Sequence, residues 1–415
     1  MNETVKLSEI ATIHHGYAFE GQFFTDQETP HALLTPGNFH VEKRLYFGKN
    51  TKYYNGPIPE DYILENGDLL VVMTDLTKDM AILGTAVILE SDKTVLHNQR
   101  IGKVKLKRTD ISKQYLCYLL NSEDVLKEIK STASGTTVRH TSPSRILNNT
   151  VSLPTWSEQT KIAQILSTWD KAIATTERLL ANSQQQKQAL MQQLLTGTVR
   201  FPNAESEWYE VEIGNIIKEV KRPVAWDDDA QYRLLSVKRR AEGVVLREVL
   251  AGSQILTKKM NTARAGDFLI SKMQVTHGAM GLVTDEFDNH HISDSYIAVI
   301  AKDTTKLDIN FFSWLGRTKA LWRLAFLSSY GVHIEKLTFN FSLFLKEKIC
   351  IPTSLAEQQK IAQVLSTADA EITNLQAQLA KLKLEKKALM QQLLTGQRRV
   401  KLDDEVEETQ IRRVG

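Results

Sequence analysis

The fold class this sequence predicts is α+β: two pseudo-symmetric α+β domains joined by two long helices that pair as an antiparallel coiled coil. Three observations predict it. A 40-residue segment occurs twice, both copies carry a coiled-coil pattern, and the two stretches around them have matching lengths and little sequence in common.

The repeat is the strongest signal. Residues 158–197 and 357–396 align at a constant offset of 199 and are identical at 23 of 40 positions without a gap. Glu158-Gln-Thr-Lys-Ile-Ala-Gln-Ile-Leu-Ser returns as Glu357-Gln-Gln-Lys-Ile-Ala-Gln-Val-Leu-Ser, and Ala189-Leu-Met-Gln-Gln-Leu-Leu-Thr-Gly197 returns unchanged as 388–396. No Gly or Pro interrupts either copy. Pro154 and Pro352 introduce them, Ser157 and Ser354 are small polar residues before the helical pattern, and Gly197 and Gly396 suit a left-handed C-terminal cap. In the second copy Ile361, Leu365, Ala368, Ile372, Leu375, Leu379, Leu382, Leu389 and Leu393 step by fours and threes around Lys386; the first copy does the same from Ile162 to Leu194 around Lys187. That spacing is the 3.5-residue period of a coiled-coil seam. A lysine in a seam either fixes register or snorkels out of it, and the sequence leaves both open.

In chain order the predicted layout is a globule over 1–153, a long helix over 154–200, a second globule over 201–351, a second long helix over 352–400 and a polar tail over 401–415. An antiparallel helix pair would leave the globules at opposite ends, related by a pseudo-twofold axis. Within the globules, β-branched and aliphatic runs predict strands at 69–73, 86–89, 101–106, 268–270, 297–300 and 349–351. Helical patterns cover 112–129 and 310–326.

Composition excludes little but not nothing. At 415 residues and 42% hydrophobic content the chain can build two sizeable cores. The net charge of +3 is compatible with nucleic-acid binding without arguing for it. No apolar run approaches the roughly 20 residues of a membrane span. Cys117 and Cys350 read as buried reduced thiols, and with no secretory pattern at the start the expected compartment is the cytoplasm. P-loop, glycine-rich dinucleotide, His-Glu-x-x-His, Cys-x-x-Cys and Gly-x-Ser-x-Gly motifs do not occur, nor does an Asn/Asp-Pro-Pro-aromatic run. His14-His15 and His290-His291 lack a carboxylate at ligand spacing, and Asp227-Asp-Asp229 reads as a solvated loop, so no metal site is expected.

The twice-used Glu-Gln-x-Lys-Ile-Ala-x-x-Leu-Ser opening and Ala-Leu-Met-Gln-Gln-Leu-Leu-Thr-Gly ending, flanking two dissimilar domains, resemble the repeated regions of type I restriction-modification specificity subunits. The resemblance covers the whole layout, strongly in the helices and weakly in the globules. It implies that each globule is a target-recognition domain for one half of a bipartite, asymmetric double-stranded DNA site. It implies helices that space the domains and dock two methyltransferase subunits, through which restriction subunits join. It also implies that this chain is no enzyme: S-adenosylmethionine, Mg²⁺ and ATP would belong to the partners, and this chain would hold no cofactor.

Reading DNA needs polar and basic side chains on loops. In the first domain these are Thr74, Asp75, Thr77 and Lys78, then Thr136, Thr137, Arg139, His140, Ser142 and Arg145. In the second they are Ser271, Lys272, Gln274, Thr276 and His277, then Tyr330, His333 and Lys336, with Lys238, Arg239, Arg240, Lys258 and Lys259 as phosphate contacts. On the helices, a seam alone would preserve only apolar positions. Yet Glu158, Gln159, Lys161, Gln164 and Asp170 recur as Glu357, Gln358, Lys360, Gln363 and Asp369, which fits a surface duplicated for two identical partners. Two rival readings make other predictions. An unrecognised nuclease or methyltransferase would bind metal or S-adenosylmethionine as an isolated chain, and a coiled-coil scaffold would show no sequence dependence in DNA binding at moderate salt.

Overall fold

The computed structural model describes residues 3–202, 207–331 and 337–402. Contacts divide the chain into two units: residues 1–177 with 378–415, and residues 178–377. Each unit therefore holds one globule, half of the helix Trp156–Leu194 and half of the helix Leu355–Leu394.

In the first unit a four-stranded antiparallel sheet runs in the order Ala11–His15, Ile101–Leu106, Leu69–Val72, Ala86–Ile88. The strand Leu69–Val72 is buried on both faces. Leu69 and Val71 enter the core that faces the helices, while Leu70 and Val72 enter a separate core that includes Leu34 and Val95 of a five-stranded sheet. The second unit repeats the plan with other residues: Ile217–Val220, Tyr296–Ala301, Phe268–Ser271, Met280–Leu282. There Phe268 and Ile270 face the helical core and Leu269 faces the other. Alternation along a strand (period two) sends successive side chains to opposite faces, so one apolar strand serves two cores. The predicted strands are present with bounds shifted by a residue or so. Each predicted short helix is two: Lys113–Leu120 and Glu123–Ser131, then Ile309–Leu315 and Lys319–Leu327. Ser122 and Thr318 break the runs because their hydroxyls accept the backbone N–H of Val125 and Leu321, which caps a new helix.

The long helices follow the seam. Every seam position named above is buried or half-buried, whereas residues 184–186 and 384–385 beside it are exposed. The first helix is capped by Thr155, not Ser157: its hydroxyl accepts from Glu158 N at 3.5 Å, and Ser354 does the same for Glu357 N at 3.3 Å. Gly197 and Gly396 take φ of +71° and +75° after the last turn, as a left-handed cap requires. Ile162, Ala163 and Leu166 join Leu393 and Leu394 in the main core of the first unit, and Ile361, Ala362 and Leu365 join Leu194 and Leu195 in the second. Within each unit the helix segments are antiparallel: Asp170 pairs with Lys386 and Glu158 with Arg399, Asp369 with Lys187 and Glu357 with Arg200.

Each seam lysine stays in the seam and pairs with an aspartate of the facing helix segment. Lys386 lies over the Tyr118 ring, whose hydroxyl donates to Asp170 at 2.6 Å; Lys187 lies over the Trp314 ring, and Arg317 also reaches Asp369 at 2.6 Å. Lys386→Asp should cost about 2 kcal/mol in denaturant unfolding, because two carboxylates would then face each other half-buried. The swap Asp170→Lys/Lys386→Asp should recover at least half of that loss, and a swap no better than the single variant would contradict a register role.

One thiol differs from expectation. Cys117 is buried, which pushes its pKa up to about 12, but Cys350 is exposed. It lies on the strand Lys348–Pro352 between half-buried Ile349 and buried Ile351, so alternation turns it outward.

Candidate nucleic-acid interface

In the first unit the strand Leu69–Val72 runs on into Thr74–Asp75, which pairs with Arg139–His140: Asp75 lies opposite Arg139 and Thr74 opposite His140. Two loops far apart in sequence thus form one surface. The Thr74 hydroxyl and His140 Nδ1 are 3.1 Å apart, and Thr141 N donates to the Met73 carbonyl at 2.9 Å. Arg139 donates to the Gly135 carbonyl at 2.6 Å, and Arg145 to the Ser134 hydroxyl at 2.9 Å. Gly135 is required: its φ is +94°, and a Cβ there would sit 2.0 Å from the Val138 carbonyl oxygen.

Asp75 does not face outward. It is 0% exposed, and its carboxylate accepts the backbone N–H of Thr77 at 2.6 Å, Ile82 at 2.7 Å and Leu83 at 3.0 Å. Thr74 is buried too, and Ser142 caps the helix Pro143–Leu147 by accepting from Arg145 N. These three shape the surface. Thr77, Lys78, Thr136, Thr137, His140 and Arg145 are exposed on it, and Arg139 is half-buried.

In the second unit Lys238, Arg239 and Arg240 are exposed on a turn where Arg240 and Ala241 both adopt φ of +57°. Arg239 donates to the Gln274 side chain at 2.5 Å and Ala241 N to the Gly278 carbonyl at 2.9 Å, so this turn and the 271–277 loop form one basic surface. Lys272, Gln274, Thr276 and His277 are half-buried on it, while Ser271 is buried beneath. Tyr330 is exposed and pairs through its backbone with Thr338. His333 and Lys336 lie outside the described residues. Lys258 and Lys259 are exposed and lie beside Asp228 at 2.7 Å and Asp294 at 3.8 Å. Leu76 and Met273 are exposed apolar residues in the same two loops, and only their place between polar neighbours marks them in the sequence.

The repeated polar residues of the long helices have internal partners. Glu158 is buried and takes both Nε and Nη2 of Arg399, at 2.7 and 2.6 Å; Glu357 takes those of Arg200 at 3.1 and 2.8 Å. Gln159 accepts from Ser112 N and donates to the Asp110 and Pro154 carbonyls. Gln358 accepts from Asp308 N and donates to the Lys306 and Pro352 carbonyls. With Asp170 and Asp369 in the seam pairs, six of the ten repeated positions have partners within the chain, which accounts for their identity without an outside partner. Gln164 and Gln363 are exposed, Lys161 is half-buried, and Lys360 lies over the Phe201 ring at 4.5 Å.

The histidine pairs make separate local bonds: His14 to Thr12, His15 to the Gln99 carbonyl, His290 to the Asp288 carbonyl. Burial holds the His291 pKa below its usual value. Among the described residues no three His, Cys, Asp or Glu side chains come together as metal ligands, and no helix is long and apolar enough to cross a membrane.

Residues 2–182 and 205–384 both match the family model described as the type I restriction modification DNA specificity domain. The chain belongs to that family. It is 27% identical over 212 residues to the type I restriction enzyme MjaVIII specificity subunit of Methanocaldococcus jannaschii, covering 48% of this chain and 47% of that protein. It is 24% identical over 239 residues to the EcoBI specificity subunit of Escherichia coli, covering 57% of this chain and 47% of that protein. The chain spans about half the length of the curated relatives it matches. In fold it is similar to the type I restriction-modification S subunit of M. genitalium, with a TM-score of 0.60 at 14% identity over 95% of this chain and 96% of the other. A chain from a structure of type I R-M complex assembly and conformational transition gives a TM-score of 0.54 at 15% identity over 95% and 98%. Family membership and these folds agree with the two-domain α+β class predicted above.

Proposed function

We propose that this chain is the sequence-reading, non-catalytic subunit of a type I restriction-modification enzyme. The observation that carries the reading is the pairing of sameness and difference. The two units share sheet order and helix anchors, yet they present different side chains at the ends of corresponding strands. A frame used twice with unlike tips suits a bipartite site whose halves differ in sequence.

In this reading Thr77, Lys78, Thr136, Thr137, His140 and Arg145 contact one half-site, and Lys272, Gln274, Thr276, His277 and Tyr330 contact the other. Lys238, Arg239 and Arg240 hold phosphates. Leu76 and Met273 suit thymine methyl groups, the apolar feature of the major groove. Two methyltransferase subunits dock on the helices, where Gln164 with Thr168 and Gln363 with Thr367 are repeated and exposed; restriction subunits join through them. S-adenosylmethionine, Mg²⁺ and ATP are held by those partners, in the cytoplasm.

The test is to co-express the chain with the methyltransferase encoded beside it and map methylated adenines by single-molecule sequencing. A single bipartite motif that vanishes on deletion of this chain supports the proposal, and methylation indifferent to the deletion defeats it. Spacing gives a second expectation. Inserting one turn (about 5.4 Å) into each long helix should change the tolerated gap between half-sites, at about 3.4 Å per base pair, and leave the half-sites themselves alone. Altered half-sites in the methylation map would mean that the helices do not act as spacers.

A further inference from the structure

In the first unit the turn at 41–45, the helix Glu123–Ser131 and both long-helix segments enclose an open groove of about 1410 Å³. Its floor is apolar, with Leu126, Ala163, Ile173 and Met390, and its walls carry eight Lys or Arg side chains against six Asp or Glu. Four of the acids already have cations: Glu42 and Glu177 share Lys383 and Arg44, Asp170 holds Lys386, and Glu123 holds Lys387. Lys127, Lys130 and Lys171 have no acidic partner among the described residues. Deeper in, Lys43 donates to the Asn121 carbonyl. Burial, with Lys386 and Lys130 facing it, pushes its pKa down to about 8. The groove is therefore short of negative charge.

The second unit carries a different residue at the position corresponding to Asn121. It is Arg317, which stacks 4.1 Å from the Trp314 ring centroid and pairs with Asp369.

The sequence supplies that charge close by. Residues 403–408 read Asp-Asp-Glu-Val-Glu-Glu, five carboxylates around one valine, and lie outside the described residues. The described chain leads up to them from the groove's own end. Arg399 pairs with Glu158, and Val400 packs on the core that contains Ala163 and Leu394, both of which line the groove. Six extended residues reach roughly 20 Å, close to the about 25 Å of helix between Thr160 and Glu177 that walls the groove.

We propose that this groove is an intrachain docking site for residues 403–408, with their carboxylates on Lys127, Lys130 and Lys171 and Val406 on the apolar floor. Docking covers an apolar, lysine-rimmed surface, and an acidic competitor has to displace the segment to use it. The inference does not depend on the DNA-reading role, because it concerns two parts of one chain.

Zero-length carbodiimide cross-linking of the full chain, read by mass spectrometry, tests it with the native carboxylates and amines. The expected result is cross-links from the 403–408 peptide to Lys127, Lys130 or Lys171, strongest at low salt. In Lys127→Glu/Lys171→Glu they should be lost at the altered positions and fall several-fold at Lys130, with an unchanged melting curve since both altered residues are exposed. Three results would overturn the proposal: no link to these lysines, a Lys130 link unaffected by the charge reversals, or links that form only between isotopically distinct copies in a mixed sample.

Discussion

Asp75→Ala abolishes methylation at the motif this chain is proposed to read, whereas Lys78→Ala, three residues away, only weakens it: that is the expected pair of results. Asp75 is fully buried and accepts three backbone N–H groups between residues 77 and 83. Removing the carboxylate strands those donors away from water, at about 1–3 kcal/mol each before the loop rearranges. The loop then gives up its shape, and its pairing with Arg139–His140 goes with it. Lys78 is exposed, so its loss removes one proposed charge contact, of the kind that lowers affinity evenly across sequences. Asp75→Asn should fall between the two, since it keeps the volume and one acceptor oxygen. The measurement is single-molecule methylation mapping with each variant as sole specificity subunit, alongside a melting curve. Full methylation with Asp75→Ala would show that the loop does not read DNA.

Gln358→Leu should destabilise the second unit by about 3 kcal/mol, and Gln159→Leu the first by a similar amount. Each amide accepts one backbone N–H and donates to two carbonyls, tying the start of a long helix to the segment before a globule helix. Leucine fills the space but satisfies none of the three groups, and Gln358 is 0% exposed, so water does not replace the amide. The two sites share no partners, so the double variant should lose the sum. Denaturant midpoints decide the matter. A cost below about 1 kcal/mol for either single variant would return these glutamines to the docking surface.

How much the sequence disclosed depends on what kind of constraint each residue meets. The long helices were legible because a seam imposes a period and the repeat displays it twice. The same repeat misled for Glu158, Gln159 and Asp170: identity says that a position is constrained, not whether the constraint lies inside the chain or outside it. Asp75 misled for a related reason. In a loop, Thr-Asp-x-Thr-Lys offers polar groups to any ligand, and only the folded chain shows the carboxylate turned inward to three amides. The split of the 112–129 and 310–326 helices rests on Ser122 and Thr318, whose capping role is invisible until the N–H three residues on comes within reach. The shared order of the two four-stranded sheets is legible only in short matches such as Asn66-Gly-Asp-Leu-Leu70 and Ala265-Gly-Asp-Phe-Leu269, since buried strands demand apolar side chains but not particular ones.

The first unit is assembled from two separated pieces of chain, residues 1–177 and 378–415, while the second is one continuous run. On a ribosome this inverts the order of completion. The first globule emerges early, yet Leu393 and Leu394, which close its core against Ile162 and Leu166, follow some 200 residues later. At ~5–20 residues per second the wait is roughly 10–40 s, longer than most single domains need to fold. The second unit needs nothing beyond residue 377 and can finish first. The nascent chain therefore passes through an interval with one finished domain and one unsealed domain, and that interval is when a holding chaperone would find its purchase.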